Sequence, residues 1–294
     1  MSRYLGVDLG GTGTRIVALD GAGRVVGDTT APTRHDDSTQ AVAALIDSLA
    51  ALVGDEPVGG VGIGASGPVD SDGIIHNRAT LPAYSELQIT GLIADAFGVD
   101  CRIDNDAATA AIGEQRFGAG AGSRAMLMVT LGTGVGVTML VDGAPFRAAD
   151  GAHPELGHIA VDGPAAPCYC GLPTCWEQLA SRTSLDGSTG GRRDDAAAAA
   201  RSGDSAALRL FETYGTHVGA GLETLISAFH PDEVVIGGSV AQYLDLYRAP
   251  LLRRLMRSAD YAWDPSIRAG TLGNLAGAIG AAALVLPRVE HAGG

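Results

Sequence analysis

Short apolar runs alternate along the chain with stretches whose apolar residues recur at helical spacing. Residues 4–7 read as a buried strand, 15–19 as a second and 24–28 as a third, with Asp20-Gly21-Ala22-Gly23 as the turn between the last two. Over residues 40–52 the apolar positions Val42, Leu45, Ile46, Leu49 and Leu52 fall three or four apart. That spacing predicts a helix with one face inward, capped by Ser38 or Thr39. Further strands are expected at 60–64, 102–104, 125–131, 135–141 and 233–236. Helices are expected to end over 92–97 and to span 107–117, 206–228 and 240–256, with a last small-residue helix over 275–286. Strands and helices alternate, so the fold class is α/β. Residues 186–204, with Gly190-Gly191-Arg192-Arg193 and an Ala run, read as a mobile surface stretch or a simple helical excursion.

An internal repeat refines this picture. Leu9-Gly10 opens a loop and Asp20-Gly21 closes the next strand; Leu131-Gly132 and Asp142-Gly143 do the same 122 residues later. Each unit reads apolar strand, Gly/Thr-rich turn, apolar strand, Asp-Gly turn. Two similar halves are expected, each presenting a glycine loop between paired strands.

Composition narrows the class. The 294 residues include 43 glycines without a Gly-X-Y period, so the surplus points to tight turns and close backbone approaches, not to collagen. At 46% hydrophobic the chain is too apolar for disorder and long enough for about two domains. A net charge of −13 argues against nucleic acid or an anionic membrane as partner. The segment 275–287 is too short and too rich in Ala and Gly to span a bilayer. No basic segment followed by a long apolar run opens the chain, so a cytoplasmic location is expected.

Asp8-Leu9-Gly10-Gly11-Thr12 places a carboxylate at a strand end and then backbone without side-chain bulk. Exposed N–H groups there can cradle phosphate oxygens, Thr12 adds a hydroxyl, and Asp8 suits a water on Mg²⁺. Gly132-Thr133-Gly134 and Gly237-Gly238-Ser239 are the second and third such loops. Three of them favour a nucleotide cleft, although none fits the Gly-Lys-Ser/Thr phosphate loop. Asp104-Asn105-Asp106 lies where a strand gives way to a helix. These residues can cap the helix. Alternatively, the triplet supplies a general base for phosphoryl transfer to an alcohol, with Asn105 suited to neighbouring hydroxyls.

His158 precedes Cys168, Cys170 and Cys175 in a Cys₃His set. Its clustering suits a tetrahedral structural zinc ion, since three thiolates leave little scope for a catalytic metal. Such an ion would stiffen the segment carrying Glu155 and Glu177. His153 is a substitute ligand of lower rank, and Cys101 reads as an ordinary buried residue.

Together these motifs resemble the ROK family of sugar kinases, a branch of the actin-like ATPase superfamily. The resemblance covers nearly the whole chain. It rests on Asp8-Leu9-Gly10-Gly11-Thr12, Gly64-Ala65-Ser66-Gly67-Pro68-Val69-Asp70, Asn105-Asp106-Ala107 and Leu131-Gly132-Thr133-Gly134-Val135-Gly136. It continues through Glu155-Leu156-Gly157-His158, the Cys-x-Cys-Gly-x-x-x-Cys-x-Glu block and Gly237-Gly238. It implies two actin-like (ribonuclease H-like) domains around a central cleft, with a structural zinc site. The small domain would run over 1–108 plus a returning helix in 275–294, and the large one over 109–274. It implies ATP and Mg²⁺, with Asp106 taking the proton of the acceptor hydroxyl. Ser66, Gly67, Asn105, Glu155, His158 and Glu177 would border or hold the sugar. Asp8, Gly10, Gly11, Thr12, Gly132 and Thr133 would lie at the phosphates, and Gly237 and Gly238 on the adenosine side.

Several positions depart from the family pattern. Gly13 replaces a basic residue, Thr174 stands where Gly is common before the third cysteine, His153-Pro154 replaces a small pair, and Tyr84 replaces Trp. The kinase chemistry is untouched by these changes. The expected reaction is ATP-dependent phosphorylation of glucose to glucose 6-phosphate. Fructose, mannose, allose, an N-acetylhexosamine or a C7-cyclitol are the alternative acceptors, and polyphosphate is an alternative donor. A homodimer or higher homo-oligomer is a family expectation. The rival of another class is a non-catalytic sugar-sensing regulator. Family regulators carry a DNA-reading segment before the first loop, whereas here seven residues precede Asp8.

Overall fold

The computed structural model describes residues 2–255 and 266–287. The expected helix end at Met256 and the last expected domain residues, 288–294, lie outside the described residues. In chain order the elements are β1 (Arg3–Leu9), β2 (Gly13–Leu19), β3 (Val25–Pro32), α1 (Ser38–Val53), β4 (Val58–Ala65), α2 (Ile89–Phe97), β5 (Cys101–Asn105) and α3 (Asp106–Phe117). Then come β6 (Ala125–Leu131), β7 (Val135–Val141), β8 (Ala144–Pro145), α4 (Trp176–Ala180), α5 (Arg182–Thr189), α6 (Arg193–Arg201) and α7 (Ser205–Phe229). The series closes with β9 (Glu233–Gly237), α8 (Leu244–Leu255), β10 (Ser266–Ala269) and α9 (Ala276–Ala283). Single 3₁₀ turns precede α8 and α9.

The chain forms two compact units. Described residues of the first fall within Met1–Gly122, Gly143–Pro154 and Asn274–Gly294; those of the second fall within Ser123–Asp142 and Glu155–Gly273. The sequence suggested a division at 108, inside α3. The helix stays whole in the first unit because it packs along α9 through small residues.

In the first unit the strand order is β3-β2-β1-β4-β5. β1 pairs antiparallel with β2 and parallel with β4, which pairs parallel with β5. In the second unit β7 is antiparallel to β6, β6 parallel to β9, and β9 parallel to β10. The sequences β2-β1-β4-β5 and β7-β6-β9-β10 are thus the same topology twice. The repeat read at an offset of 122 residues maps onto corresponding hairpins, β1–β2 and β6–β7.

Each sheet has its own core. In the first unit Leu5, Val7 and Leu9 of β1 join Val61 and Ile63 of β4 against Leu45 and Leu49 of α1. Burying such side chains contributes about 1.5–3 kcal/mol each. The opposite face of this sheet is built from glycine. A Cβ on Gly6 or Gly62 would run into the backbone of α9 at Ala278 or Ala281, and one on Gly280 would strike the Thr109 carbonyl. Part of the glycine surplus is therefore close contact between a sheet and a small-residue helix. In the second unit Trp176, Phe211, Tyr243 and Tyr247 are the bulky centre of the core.

Residues 186–204 follow the helical alternative: α5 ends at Gly190, in the left-handed conformation at φ 60°, and α6 runs over the Ala-rich part. Among the described residues no helix is long and apolar enough to cross a membrane.

Candidate functional site

In the first unit the candidate residues lie at the carboxyl ends of three neighbouring parallel strands, the usual place for a ligand in an open α/β sheet. Asp8 is the penultimate residue of β1, opposite Gly64, and Gly64 is opposite Asp104 of β5. Gly277 makes room for the Asp8 carboxylate, since a Cβ there would come within 2.9 Å of Asp8 Cγ. Burial pushes the Asp8 carboxyl above its ordinary value, and the Arg15 guanidinium at 3.6 Å opposes that shift. The loop Gly10-Gly11-Thr12 is closed by Gly10 N–H donating to Gly13 O (3.2 Å), and Thr33 Oγ1 donates to Gly10 O (2.6 Å). Gly11 packs on Thr80, while Thr12 is exposed.

Ser66 and Gly67 follow β4. Ser66 N–H donates to Leu9 O (3.1 Å), and Gly67 has φ 91°, a left-handed value that a side chain would strain. Asn77 Nδ2 donates to Ser66 O (2.8 Å), and Asn105 Nδ2 to Gly67 O (3.1 Å). Asn105 Oδ1 meanwhile accepts from Ala107 N–H (2.9 Å) and caps α3. The capping reading of this residue is therefore present in the structure. The same amide also ties the Ser66–Gly67 turn to the start of α3.

Asp106 is the first residue of α3. It is half-buried, with Oδ1 accepting from Ala107 N–H at 2.8 Å. A partner that the sequence did not suggest is Arg147, which pairs with Asp104, while Asp104 Oδ1 accepts from Asn105 N–H (2.7 Å). The pair joins positions 43 residues apart, so no local spacing signals it.

In the second unit Gly132-Thr133-Gly134 follows β6 and Gly237-Gly238 ends β9, the adjacent parallel strand. Gly238 has φ 77°, and a Cβ there would press into the Leu131 backbone, so the two loops touch only because it is glycine. The Oγ atoms of Thr130 and Ser239, beside these loops, are buried with no protein hydrogen-bond partner. Buried hydroxyls normally find partners, so a polar ligand is a natural complement here. Arg182, also unforeseen, donates from Nη2 to Thr133 Oγ1 (2.9 Å), and its backbone N–H donates to Gly132 O (2.8 Å). It brings a cation to a glycine loop whose sequence carries none.

The Cys₃His segment is folded against this loop. Trp176 is fully buried, its indole lying over Gly221 of α7 and donating to His217 O (3.0 Å). That anchor places Cys175 and Glu177 on either side. Glu177 Oε2 accepts from Val135 N–H (3.1 Å) and lies against Gly134. Gly157 packs on the Val135 carbonyl, where no Cβ would fit. Glu155 lies beside His158 and Glu177. Desolvation raises its carboxyl above the ordinary range, His158 opposes the shift and Glu177 adds to it.

His158, Cys168, Cys170 and Cys175 bring their ligand atoms within 4.8 Å of one another. His158 joins the three cysteines and His153 does not. His158 Nδ1 lies 3.6 Å from Cys168 Sγ and 3.5 Å from Cys175 Sγ. Tetrahedral arms of about 2.3 Å to sulfur and 2.0–2.1 Å to nitrogen give a separation of roughly 3.6 Å, so the donor set fits zinc. Burial works to raise the Cys168 thiol, but hydrogen bonds from Cys170 and Gln178 outweigh it and bring the value to about 7. Burial pushes Cys175 up to about 12. Cys101 is half-buried and likewise pushed up to about 12 by desolvation, in keeping with an ordinary packed thiol.

Two α/β units of like topology with glycine loops at their strand ends, one carrying a Cys₃His cluster, define an actin-like architecture. The ROK family model matches residues 4–288, and the chain belongs to the ROK family. A glucokinase of Halalkalibacterium halodurans is 32% identical, over 96% of this chain and 94% of its own. Among solved structures, a ROK family glucokinase from Streptomyces griseus in complex with glucose and AMPPNP has a TM-score of 0.80 at 31% identity. That match covers 96% of this chain and 99% of that one. A ROK hexokinase from Thermus thermophilus has a TM-score of 0.79 at 30% identity, covering 95% and 96%.

Proposed function

We propose that the protein transfers the γ-phosphoryl group of ATP to glucose, giving glucose 6-phosphate, with Asp106 as general base. The observation that carries this reading is the setting of Asp106: a half-buried carboxylate at a strand end, fixed beside the Ser66–Gly67 turn by the two-way amide of Asn105. Its kinship with glucokinases along almost the full length supports the choice of acceptor.

Phosphoryl transfer asks the protein for position and charge more than for covalent chemistry. Asp106 accepts the proton of the acceptor hydroxyl as the oxygen attacks. Ser66, Gly67 and Asn105 border the sugar, and Glu155, His158 and Glu177 hold its other hydroxyls. Backbone N–H groups of Gly11, Thr12 and Thr133 face phosphate oxygens, while Gly10 and Gly132 close those loops by donating to Gly13 O and Gly134 O; Arg182 steadies Thr133, and Gly237 and Gly238 leave room for the adenosine. Asp8, with Gly277 leaving space beside it, fits the anionic partner of a water on Mg²⁺; that ion, when bound, offsets phosphate charge. Zinc, when bound by His158, Cys168, Cys170 and Cys175, supplies a fixed cross-link that holds Glu155 and Glu177 in place.

A coupled assay with ATP and a panel of sugars and cyclitols tests the reading. Glucose is expected to give the highest kcat/KM. A clear preference for another polyol would move the substrate but keep the chemistry, and absence of turnover with every acceptor would favour a sugar-sensing role.

A further inference from the structure

Tyr169 lies between the first two cysteines of the Cys₃His segment, and it is 85% exposed, the most open of the exposed large hydrophobic residues among those described. It nevertheless makes a specific contact. Its hydroxyl lies 2.8 Å from His158 Nε2, and its ring meets the imidazole edge-to-face at 5.0 Å between centroids. The opposite nitrogen, Nδ1, faces the sulfur atoms of Cys168 and Cys175. A nitrogen committed to a metal fixes the tautomer, so Nε2 carries the proton and Tyr169 Oη accepts it.

Nε2 offers a single N–H, and one N–H cannot serve two acceptors at full strength. The nearest carboxylate oxygen, Glu177 Oε2, is 3.7 Å away, too far to take that proton. The phenol therefore occupies the only donor that His158 can present to a sugar. Little else holds it there, because it sits on an exposed loop tip at the Cys168–Gly171 turn.

We propose that Tyr169 is an affinity-setting cap on the sugar site: it occupies His158 Nε2–H in the empty protein and is displaced when a sugar hydroxyl takes that proton. The inference rests on the reading of His158 as a sugar-holding residue. It assigns a role to a side chain outside the Cys₃His ligands and outside the residues that hold the sugar, and its sign is unusual. A residue that binds the sugar would weaken binding when removed, and so would a prop for the metal site. A competing cap strengthens binding when removed.

The test compares the native chain with Tyr169→Phe and Tyr169→Ala. Glucose binding is measured by calorimetry, zinc per chain by elemental analysis, and kcat and KM with ATP. A net hydrogen bond is worth about 0.5–1.5 kcal/mol, so the glucose dissociation constant is expected to fall about two- to ten-fold in Tyr169→Phe. The gain should appear in KM and not in kcat, with zinc unchanged. Weaker or equal binding by Tyr169→Phe, or loss of zinc from it, overturns the cap. A native chain that neither binds nor phosphorylates glucose removes the underlying reading instead. A native chain that does both, with a Phe variant that binds no tighter, removes only the cap.

Discussion

His76 illustrates how individual residues hold the site's loops. Its Nε2 lies 2.8 Å from Asp70 and its Nδ1 3.2 Å from Glu86, in the segment that leads from the Ser66–Gly67 turn to Asn77. Hydrogen bonds that the imidazole donates, first to Asp70 and then to Glu86, raise its pKa above the ordinary 6.5. A raised value in the folded chain means that the pair stabilises fully below the unfolded pKa of about 6.5 and fades as pH rises through the folded value. Ring-proton NMR is expected to show His76 titrating above 6.5, and Asp70→Asn to bring it down. A native value at or below 6.5 would contradict the two-carboxylate clasp. Asn105 makes a related point. The sequence offered capping and sugar binding as competing readings, yet one side chain caps α3 and ties the Gly67 carbonyl at once.

At the scale of elements, α9 is defined by what it lacks. Ala276 to Ala283 are all buried, and α9 lies against the glycine face of β1 and β4 and against α3. Gly280→Ala is expected to destabilise the protein by about 1–3 kcal/mol, because the new methyl meets the Thr109 carbonyl and overpacks the contact. Gly187→Ala in α5, where nothing lies within 4 Å, should be stabilising by roughly 0.5–1 kcal/mol. Thermal unfolding of the two variants checks both signs; equal behaviour would mean that the α9 packing is looser than described. The segment 158–177 behaves differently. It has short backbone links such as Trp176 N–H to Ile159 O and few regular elements, so a metal held by the Cys₃His cluster would be a main restraint on it. Chelation of zinc is expected to speed amide exchange over 158–177 and to raise KM for glucose, while β1 and β4 keep their protection. Unchanged exchange in that segment would argue against a structural metal.

Over the whole molecule, the sequence was most legible where physics is local. Apolar runs gave the positions of β1, β6 and β7, and the 122-residue repeat corresponds to two hairpins of like topology. Clustered cysteines with His158 come together as their spacing suggested. Legibility failed where pairing is distant or signals conflict. Gly190-Gly191 in an Ala-rich stretch reads first as a mobile surface stretch and only alternatively as a helical excursion, and the structure has two helices, α5 and α6, on either side of the glycines. The Arg147–Asp104 pair and the Arg182–Thr133 bond span 43 and 49 residues, and no periodicity announces either. Strand β10 is four residues long and too short to stand out.

The central claim is that Asp106 accepts the proton of the attacking hydroxyl. Steady-state turnover of Asp106→Asn with ATP and glucose, taken beside calorimetric glucose binding by the same variant, addresses it most directly. The account predicts near-native glucose binding and a fall in kcat of about 10²–10⁴-fold, the typical worth of a general base. A variant that binds glucose and keeps near-native turnover would contradict it.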